Sequence, residues 1–362
     1  MTIAIRKLER TEDVYDITVD KVHNFFGNNI LVHNCEIDLP TTPLTDINDE
    51  NGEISLCTLA AVNWGKINSP ESFEKPCTLA VRALDALLDY QSYPIKAAHI
   101  GTMNRRPLGV GIINFAYFLA KNDTTYQEPN LEMIHEYAEA WSYYLIKASA
   151  DLATERGACG KNEETKYSIG KLPIDTYKKD VDELVAPKYN CDWASLRSQL
   201  KKTGIRNSTL MALMPAETSA QISNSTNGIE PPRSLVSVKQ SKDGVLKQVV
   251  PNIQRLKNKY DLLWDQKSPE GYLSIMAILQ KFIDQGISVN TSYNPLFFQD
   301  EKIPLSEMIK HILMFYKMGG KQLYYNNTFD GAGEYDDSKK EESEDLPLPD
   351  FPEEDDCDSC KL

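Results

Sequence analysis

Apolar and polar residues alternate along most of the chain with two periods, one typical of helices and one typical of strands. Apolar residues that recur at helical spacing predict amphipathic helices, because such positions share one face. The short runs GISVNTS and KQLYYNN follow two of these helices and predict strands. This helix–strand alternation favours an α/β fold. The predicted helices cover residues 71–90, 108–121, 131–156, 192–202, 269–285 and 305–318.

The two ends of the chain follow other patterns. Residues 1–34 contain short apolar stretches, VYDITV and ILV, around the turn-forming residues FGNN, which predicts a small all-β segment. Residues 331–362 are acidic and interrupted by prolines, with little apolar surface to bury, and predict a flexible tail. We therefore divide the chain into residues 1–34, 35–330 and 331–362.

Composition and charge exclude several classes of protein. The 362 residues are 41% hydrophobic and carry a formal net charge of −14. Between Glu334 and Asp358 there are 13 acidic residues and two lysines, so most of that charge lies in the tail. The remainder has no basic stripe, which argues against direct binding to nucleic acid. No apolar run predicts a membrane span, and the first residues lack the pattern of a signal peptide. We expect a cytoplasmic protein, in the host cytoplasm if a phage encodes it.

The seven cysteines are widely spaced, which argues against structural disulfides in a cytoplasmic chain. Cys77, Cys159 and Cys191 are predicted to be small buried residues. The other four are Cys35, Cys57, Cys357 and Cys360, and each of them has a sequence context that suggests chemistry.

The stretch ILVHNCEIDLP carries the most specific chemistry. An asparagine amide can attack its own backbone carbonyl and form a succinimide, which breaks the following peptide bond. Asn34 has His33 beside it to polarise that bond, and His23 can assist proton transfer. Cys35 stands directly after the bond, where its thiolate can accept an acyl group.

With the upstream sequence VYDITVDKVHNFFGNN, this stretch resembles the C-terminal motifs of inteins. The resemblance covers residues 1–34 and implies a Hint-type segment. It implies that His23 and His33 transfer protons, that Asn34 cyclises, and that Cys35 begins the downstream host protein. Because the N-terminal intein segment and its nucleophile are absent from this sequence, we expect the C-terminal half of a split intein that acts in trans.

From Cys35 onward the chain resembles the large (alpha) subunit of class I ribonucleotide reductases. The motifs that carry this resemblance are CEIDLPTTPL, NDENGEISLCTL, RALDALLDYQ, RNSTLMALMPAETSAQISNSTNGIEPPR, KQLYYNNT and CDSC. The resemblance implies an α/β barrel of ten strands, of which this chain supplies roughly the C-terminal half. Such a half has open sheet edges, so we expect it to be poorly stable and inactive as a reductase by itself.

The resemblance also assigns roles in the reduction of ribonucleoside diphosphates. Glu36 matches the carboxylate that transfers protons, and Cys57 matches one of two reducing cysteines, whose partner belongs to the missing N-terminal portion. Tyr324 and Tyr325 match paired tyrosines that relay a radical, although adjacent residues of a strand normally point to opposite faces. The tyrosines favour class I, in which the metal centre of a separate small subunit makes the radical.

The segment MPAETSAQ has the pattern of an anion site. Pro215 can occupy the first turn of a helix, where its missing N–H costs nothing. Glu217, Thr218 and Ser219 then offer backbone N–H groups at the helix start, a geometry that binds anions. The resemblance implies that this loop, with Ala216, holds the substrate diphosphate; an ordinary capped helix is the alternative.

One departure from the family pattern concerns the radical cysteine. The family has Cys-x-Glu, whereas Cys35 directly precedes Glu36. Either the radical cysteine is the last residue of the partner's host segment and Cys35 fills the middle position, or one residue is deleted and Cys35 serves both reactions. We favour the first, because a shift of one residue turns a side chain to the other face of a strand.

Cys357 and Cys360 form a CxxC dithiol in the acidic tail. A mobile dithiol suits disulfide exchange, and the resemblance implies that it re-reduces the active site and is reduced in turn by thioredoxin or glutaredoxin. The family often has wider spacing here. We expect no metal or cofactor bound by this chain itself.

The implied partners are the N-terminal half with its intein segment, the small (beta) subunit, and a second copy of the spliced large subunit. ATP and dNTP effectors are expected mainly on the missing portion. Two alternatives stay open: the halves assemble non-covalently without splicing, or the chain is a thiol-carrier or metal-binding protein built around CDSC.

Overall fold

A computed structural model describes residues 39–46, 49–241 and 244–329, together with the backbone of residues 24–27 and 30–33. The strands are β1 Asn24–Gly27, β2 Ile30–His33, β3 Thr58–Asn63, β4 Leu108–Ile113, β5 Val236–Ser241, β6 Gly244–Val249, β7 Thr291–Tyr293 and β8 Asn326–Thr328. The α-helices are α1 Glu74–Tyr90, α2 Lys96–Arg105, α3 Phe115–Lys121, α4 Leu131–Arg156, α5 Pro173–Thr176, α6 Trp193–Thr203, α7 Glu217–Ile222, α8 Ile253–Leu256, α9 Glu270–Gln280 and α10 Leu305–Lys317.

Parallel strands and strand-like segments follow one another in chain order. β3 pairs with β4, and β7 pairs with β8, both in parallel. Between these pairs, parallel bridges join Val110 to Met211 and Leu213 to Ile287. The β-structure therefore continues from β3 through β4 and residues 209–213 to β7 and β8. Within the described residues this run does not close into a barrel. Its regular strands form two separate two-stranded sheets, β3 with β4 and β7 with β8.

Two antiparallel hairpins complete the β-structure of the described residues. β1 and β2 pair with Asn24 opposite His33, in the part of the chain predicted to be all-β. β5 and β6 pair from Val236 opposite Val249 to Ser241 opposite Gly244. This second hairpin was not predicted from the sequence.

The prediction of one helix over residues 108–121 is wrong in its first half, which is strand β4. Its sequence, LGVGII, is buried at every position, and a fully buried strand shows no alternation to separate it from a helix. Two glycines weaken a helix there, and β-branched residues suit a strand. A Cβ at Gly109 would lie 2.5 Å from Cys57 Sγ, so the position of the Cys57 side chain over β4 depends on this glycine.

The other predicted helices are present with shifted ends, and α4 matches its predicted range. Asn130 caps α4 by accepting a hydrogen bond from Met133 N at 3.1 Å, as asparagine often does at a helix start. The helix predicted over residues 269–285 ends at Gln280, because the chain tightens there and Phe282 N donates to Leu279 O. Helix α2 was not predicted.

An aromatic cluster around Trp64 forms the centre of the core. The ring of Trp64 lies 5.1 Å from Phe73, 5.3 Å from Phe118 and 6.1 Å from Trp141, measured between centroids. Edge-to-face pairs of this kind add to the stabilisation from burial. Helix α4 contacts α1, α6 and α9 around this cluster, so it is the central helix of the described fold.

The described cysteines partly fit their predicted environments. Cys77 and Cys159 are buried thiols, as predicted. Cys191 is only half-buried, so that prediction is wrong. It precedes α6, where the buried carboxylate of Glu139 accepts its backbone N–H at 2.9 Å and keeps the loop at the surface of α4.

Candidate functional site

The carboxyl ends of neighbouring parallel strands meet at one edge of a sheet, and polar side chains join them here. Asn63 ends β3, and its Nδ2 donates to Ser225 Oγ at 2.9 Å. Asn114 follows β4, and its Nδ2 donates to Asn63 Oδ1 at 3.0 Å. Its own Oδ1 accepts from Thr226 N at 3.1 Å. These bonds fix the loop between α7 and β5 to the strand ends, which is where α/β folds commonly bind ligands.

Helix α7 begins at this edge, directly after the strand-like residues 209–213. Glu217, Thr218 and Ser219 are its first three residues, as predicted, and helix-start N–H groups lack partners within their helix. Pro215 does not occupy the first turn, so that prediction is wrong. Ala216 takes the cap position with φ −131°, and its N–H donates to Asn227 Oδ1 at 3.3 Å, which holds the chain outside the helix there.

Cys57 lies at the opposite end of β3 from Asn63. Its thiol is half-buried and packs over Gly109 of β4. Because a strand rises roughly 3.3 Å per residue, the length of β3 separates Cys57 from the strand edge that carries α7. The described residues therefore do not bring Cys57 together with the predicted phosphate loop.

Tyr324 and Tyr325 lie just before β8, at the end of the parallel run. Their ring centroids are 4.1 Å apart with an interplanar angle of 55°, so the rings are in contact but tilted. The two rings therefore do not point to opposite faces, as adjacent residues of a regular strand normally do, because regular pairing begins only at Asn326. Tyr324 N donates to Val289 O at 2.8 Å, and Tyr325 N donates to Asn290 Oδ1 at 3.0 Å.

A pocket of about 170 Å³ lies against the tyrosine pair. Tyr325 is 54% exposed, so its ring faces both the pocket and solvent. The residues that line the pocket come from β7, α10 and the segment around β8: Thr291, Tyr293, Met308, Ile312, Leu323, Tyr324, Tyr325 and Asn326.

Several predicted site residues lie outside the described residues. They are His23, Asn34, Cys35, Glu36, Cys357 and Cys360. His33 is described only as the last backbone position of β2. The roles of these residues stay predictions.

Two asparagines that shape the site, Asn114 and Asn290, were not predicted from the sequence. Asn114 adopts φ 64°, and Asn290 donates to Glu230 while it accepts from Tyr325 N. Asparagine tolerates positive φ better than most residues, so an asparagine between a strand and a helix was a usable signal for Asn114. For Asn290 no local pattern gives its partner, which is 60 residues away.

No helix among the described residues is both long and apolar enough to span a membrane. No group of three or more histidine, cysteine, aspartate or glutamate side chains there is arranged to hold a metal ion.

Comparison with known proteins identifies the family. The family model for "Ribonucleotide reductase, barrel domain" matches residues 21–326, a range that begins upstream of Asn34. The ribonucleoside-diphosphate reductase subunit alpha of Haemophilus influenzae is 56% identical over 298 residues, 82% of this chain and 39% of that protein. The protein of the same name from Buchnera aphidicola subsp. Schizaphis graminum is 53% identical over 298 residues, which are 82% of this chain and 39% of that protein. That of Enterobacteria phage T4 is 46% identical over 332 residues, 91% of this chain and 42% of the phage protein.

The chain thus spans about two-fifths of the length of the curated relatives that it matches. The match covers most of the chain, including β3, β4, the loop that carries α7, and the tyrosine pair. The chain belongs to the ribonucleotide reductase barrel-domain family.

Proposed function

We propose that this chain supplies the C-terminal part of a class I ribonucleoside-diphosphate reductase large subunit. The observation that carries this proposal is the contact between Tyr324 and Tyr325, whose rings lie 4.1 Å apart beside an open pocket. Two phenols in contact can pass an electron and a proton between them. Relatives of this chain are named as alpha subunits of such reductases, which supports the same activity here.

The proposed reaction replaces the ribose 2′-hydroxyl of a ribonucleoside diphosphate by hydrogen. Glu36 transfers a proton, so that the hydroxyl leaves as water. Cys57 and a cysteine of the N-terminal half together give up two electrons and two protons and become a disulfide. The N–H groups at the start of α7 hold the substrate diphosphate, because a helix start favours anions.

The radical chemistry needs groups that other chains supply. The metal centre of a small (beta) subunit is the source of the radical, which reaches the active site through Tyr325 and Tyr324. The radical cysteine is the last residue of the partner's host segment, directly before Cys35. The alternative, in which Cys35 is the radical cysteine, predicts a partner whose host segment ends in another residue.

The tail dithiol regenerates the active site. Cys357 and Cys360 reduce the disulfide that contains Cys57 by thiol–disulfide exchange. Thioredoxin or glutaredoxin then reduces the tail, and ATP or dNTP effectors bind mainly the N-terminal portion. The assembled large subunit is a homodimer that binds the small subunit in the cytoplasm.

The proposal includes trans-splicing by residues 1–34. Asn34 cyclises with help from His33 and His23, and Cys35 accepts the partner's acyl group before the bond after Asn34 breaks. The support is the sequence VYDITVDKVHNFFGNNILVHNC, together with the β1–β2 hairpin that ends at His33.

Mixing the chain with its N-terminal partner tests both activities. Mass spectrometry should detect one longer protein and a released fragment of residues 1–34, and the product should reduce ribonucleoside diphosphates when the small subunit and thioredoxin are added. Asn34→Ala should abolish release. Release that continues in this variant would contradict the splicing mechanism.

The same experiment separates the alternatives. Reductase activity with the Asn34–Cys35 bond intact would favour non-covalent assembly without splicing. A chain that yields no reductase activity and binds about one zinc ion at Cys357 and Cys360 would favour the metal-binding alternative, because a CxxC pair can supply half of a zinc site.

A further inference from the structure

A buried tyrosine–histidine pair lies in the wall of the pocket that adjoins Tyr324 and Tyr325. Tyr293 ends β7, and His311 lies on α10; each is 3% exposed. The Tyr293 hydroxyl lies 2.9 Å from His311 Nδ1, within hydrogen-bond distance. The two rings are stacked, with centroids 5.7 Å apart and planes inclined by 28°.

The surroundings of His311 make Nδ1 the acceptor in this bond. Its Nε2 lies 3.4 Å from Ser268 Oγ and 3.6 Å from Glu270 Oε1, so the Nε2–H tautomer has acceptors on its far side. Burial lowers the pKa of His311 below its usual range, opposed by Glu270, and the ring is therefore neutral at neutral pH. A neutral imidazole with Nδ1 unprotonated accepts the Tyr293 hydroxyl.

The charged groups around His311 can also hold a proton there. Glu270 begins α9, and its carboxylate forms an ion pair with Lys310 Nζ at 2.7 Å. The other charged side chain that acts on the His311 ring is Glu307 of α10. An imidazolium formed at His311 would lie beside the Glu270 carboxylate, which compensates its charge. Tyr293 thus has a base in contact and a counter-charge behind that base.

Tyr293 also lies close to the tyrosine pair. Tyr293, Tyr324 and Tyr325 line one pocket. The backbone couples them as well, since β7 and β8 are paired and Thr291 N donates to Tyr325 O at 2.9 Å. A phenol that has a hydrogen-bonded base is easier to oxidise than one without, because its proton can leave with the electron.

We propose, on the basis of the proposed function, that Tyr293 is a third redox-active tyrosine, which exchanges an electron with the Tyr324–Tyr325 pair and gives its proton to His311. Tyr293 gives up one electron to a tyrosyl radical of the pair and its phenolic proton to His311 Nδ1. The reduced tyrosine of the pair takes a proton from water at the half-exposed Tyr325 ring. The exchange reverses when the proton returns from His311, so the Tyr293–His311 pair stores an oxidising equivalent beside the relay.

A purely structural pair would carry no unpaired electron, which makes radical trapping the decisive test. 3-Aminotyrosine, which is oxidised more easily than tyrosine, replaces one tyrosine at a time: Tyr293, Tyr325 or Tyr272. Tyr272 is the matched control, because it is 4% exposed and lines a different pocket. Each chain is spliced to the N-terminal half, mixed with the small subunit, substrate and effector, and examined by electron paramagnetic resonance.

We expect an aminotyrosyl radical at positions 293 and 325 and none at position 272. A radical at 325 without one at 293 would overturn the inference while leaving the proposed function intact. A radical at 272 as strong as that at 293 would also overturn it, because burial alone would then suffice. The absence of an aminotyrosyl radical at both position 293 and position 325 would refute the proposed radical route and this inference with it.

His311→Gln tests the proton acceptor. Glutamine keeps a polar partner for the Tyr293 hydroxyl but is not a base, so the radical at position 293 should fall at least about tenfold, as loss of a general base typically costs that much or more. The radical at position 325 should be unchanged, which shows that the variant folds and assembles. An undiminished radical at position 293 would show that His311 is not the acceptor and would overturn the assignment.

Discussion

At the scale of single residues, Gly109 leaves the space over β4 that the side chains of Cys57 and Leu59 occupy. A Cβ added there would lie 2.5 Å from Cys57 Sγ and 2.6 Å from Leu59 Cδ2. Neither distance is compatible with van der Waals contact, so Gly109→Ala must displace the Cys57 thiol or separate the strands. Overpacking of this kind costs about 1–3 kcal/mol.

We expect Gly109→Ala to lower the free energy of unfolding by about that amount, 1–3 kcal/mol, in urea titrations. It should also change the rate at which a thiol reagent modifies Cys57. Gly160→Ala is the matched control, since its nearest neighbour would be 3.4 Å away, an ordinary contact. Equal stability of the two variants would contradict the packing described for β3 and β4.

A second residue-scale feature is the buried contact between His135 and Lys281. Lys281 Nζ lies 3.0 Å from His135 Nε2 and 2.9 Å from Asp182 Oδ1, and the His135 side chain is 3% exposed. Burial and then the Lys281 charge lower the pKa of His135 to about 4. In the unfolded chain that pKa is about 6.5.

Between these two pKa values the unfolded chain binds the proton and the folded chain does not, so the stability of the fold falls as the pH drops from about 6.5 to about 4. The loss at His135 is on the order of 3 kcal/mol. His135→Gln keeps an acceptor for Lys281 and should reduce the difference in unfolding free energy between pH 7 and pH 4.5. The exposed His99 gives the control: His99→Gln should leave that difference unchanged.

At the scale of elements, Asn114 connects strand β4, helix α3 and the loop that follows α7. It adopts φ 64° between β4 and α3, and its side chain bonds to Asn63 and Thr226. Its backbone N–H donates to Thr226 O at 2.9 Å. The strand end therefore sets the position of the loop that follows α7.

Asn114→Ala should lower the free energy of unfolding by about 2–4 kcal/mol, because it adds left-handed strain of roughly 1–2 kcal/mol and leaves buried polar groups without a partner. Asn114→Gly removes the strain and should cost less. Urea titrations of both variants separate the two contributions. If glycine is as damaging as alanine, the hydrogen bonds alone account for the effect.

The elements that the sequence predicted best are long and strongly periodic. Helix α4, with its asparagine cap, is an example: its 26 residues match the prediction. The prediction for strand β4 was wrong because every position in LGVGII is buried, so its pattern fits a helix as well as a strand. The prediction for Pro215 was wrong because Asn227, 11 residues from Ala216, accepts the Ala216 N–H and keeps that residue outside the helix, which begins only at Glu217. The contact between the Tyr324 and Tyr325 rings depends on where pairing with β7 begins, which is tertiary information.

At the scale of the whole molecule, the parallel run has two edges among the described residues. In the part of the chain that the structure describes, β3 pairs only with β4, and β8 pairs only with β7. Edge strands present backbone N–H and C=O groups that another chain can pair with. The relatives are longer, since this chain covers 39% of the Haemophilus influenzae protein, so they contain further residues that have no counterpart in this chain.

If the N-terminal half completes the sheet, it should protect the two edge strands from hydrogen exchange. We expect exchange in β3 and β8 to slow at least about tenfold when the N-terminal half is added to the Asn34→Ala chain, a variant in which the proposed splicing cannot be completed. Helix α4 is already central to the fold and should change little, which makes it the internal control. Exchange in β3 and β8 that stays fast in a complex of the two halves would show that they meet through another surface. The edges would then be covered by something else, and the half-barrel assignment would have to be abandoned.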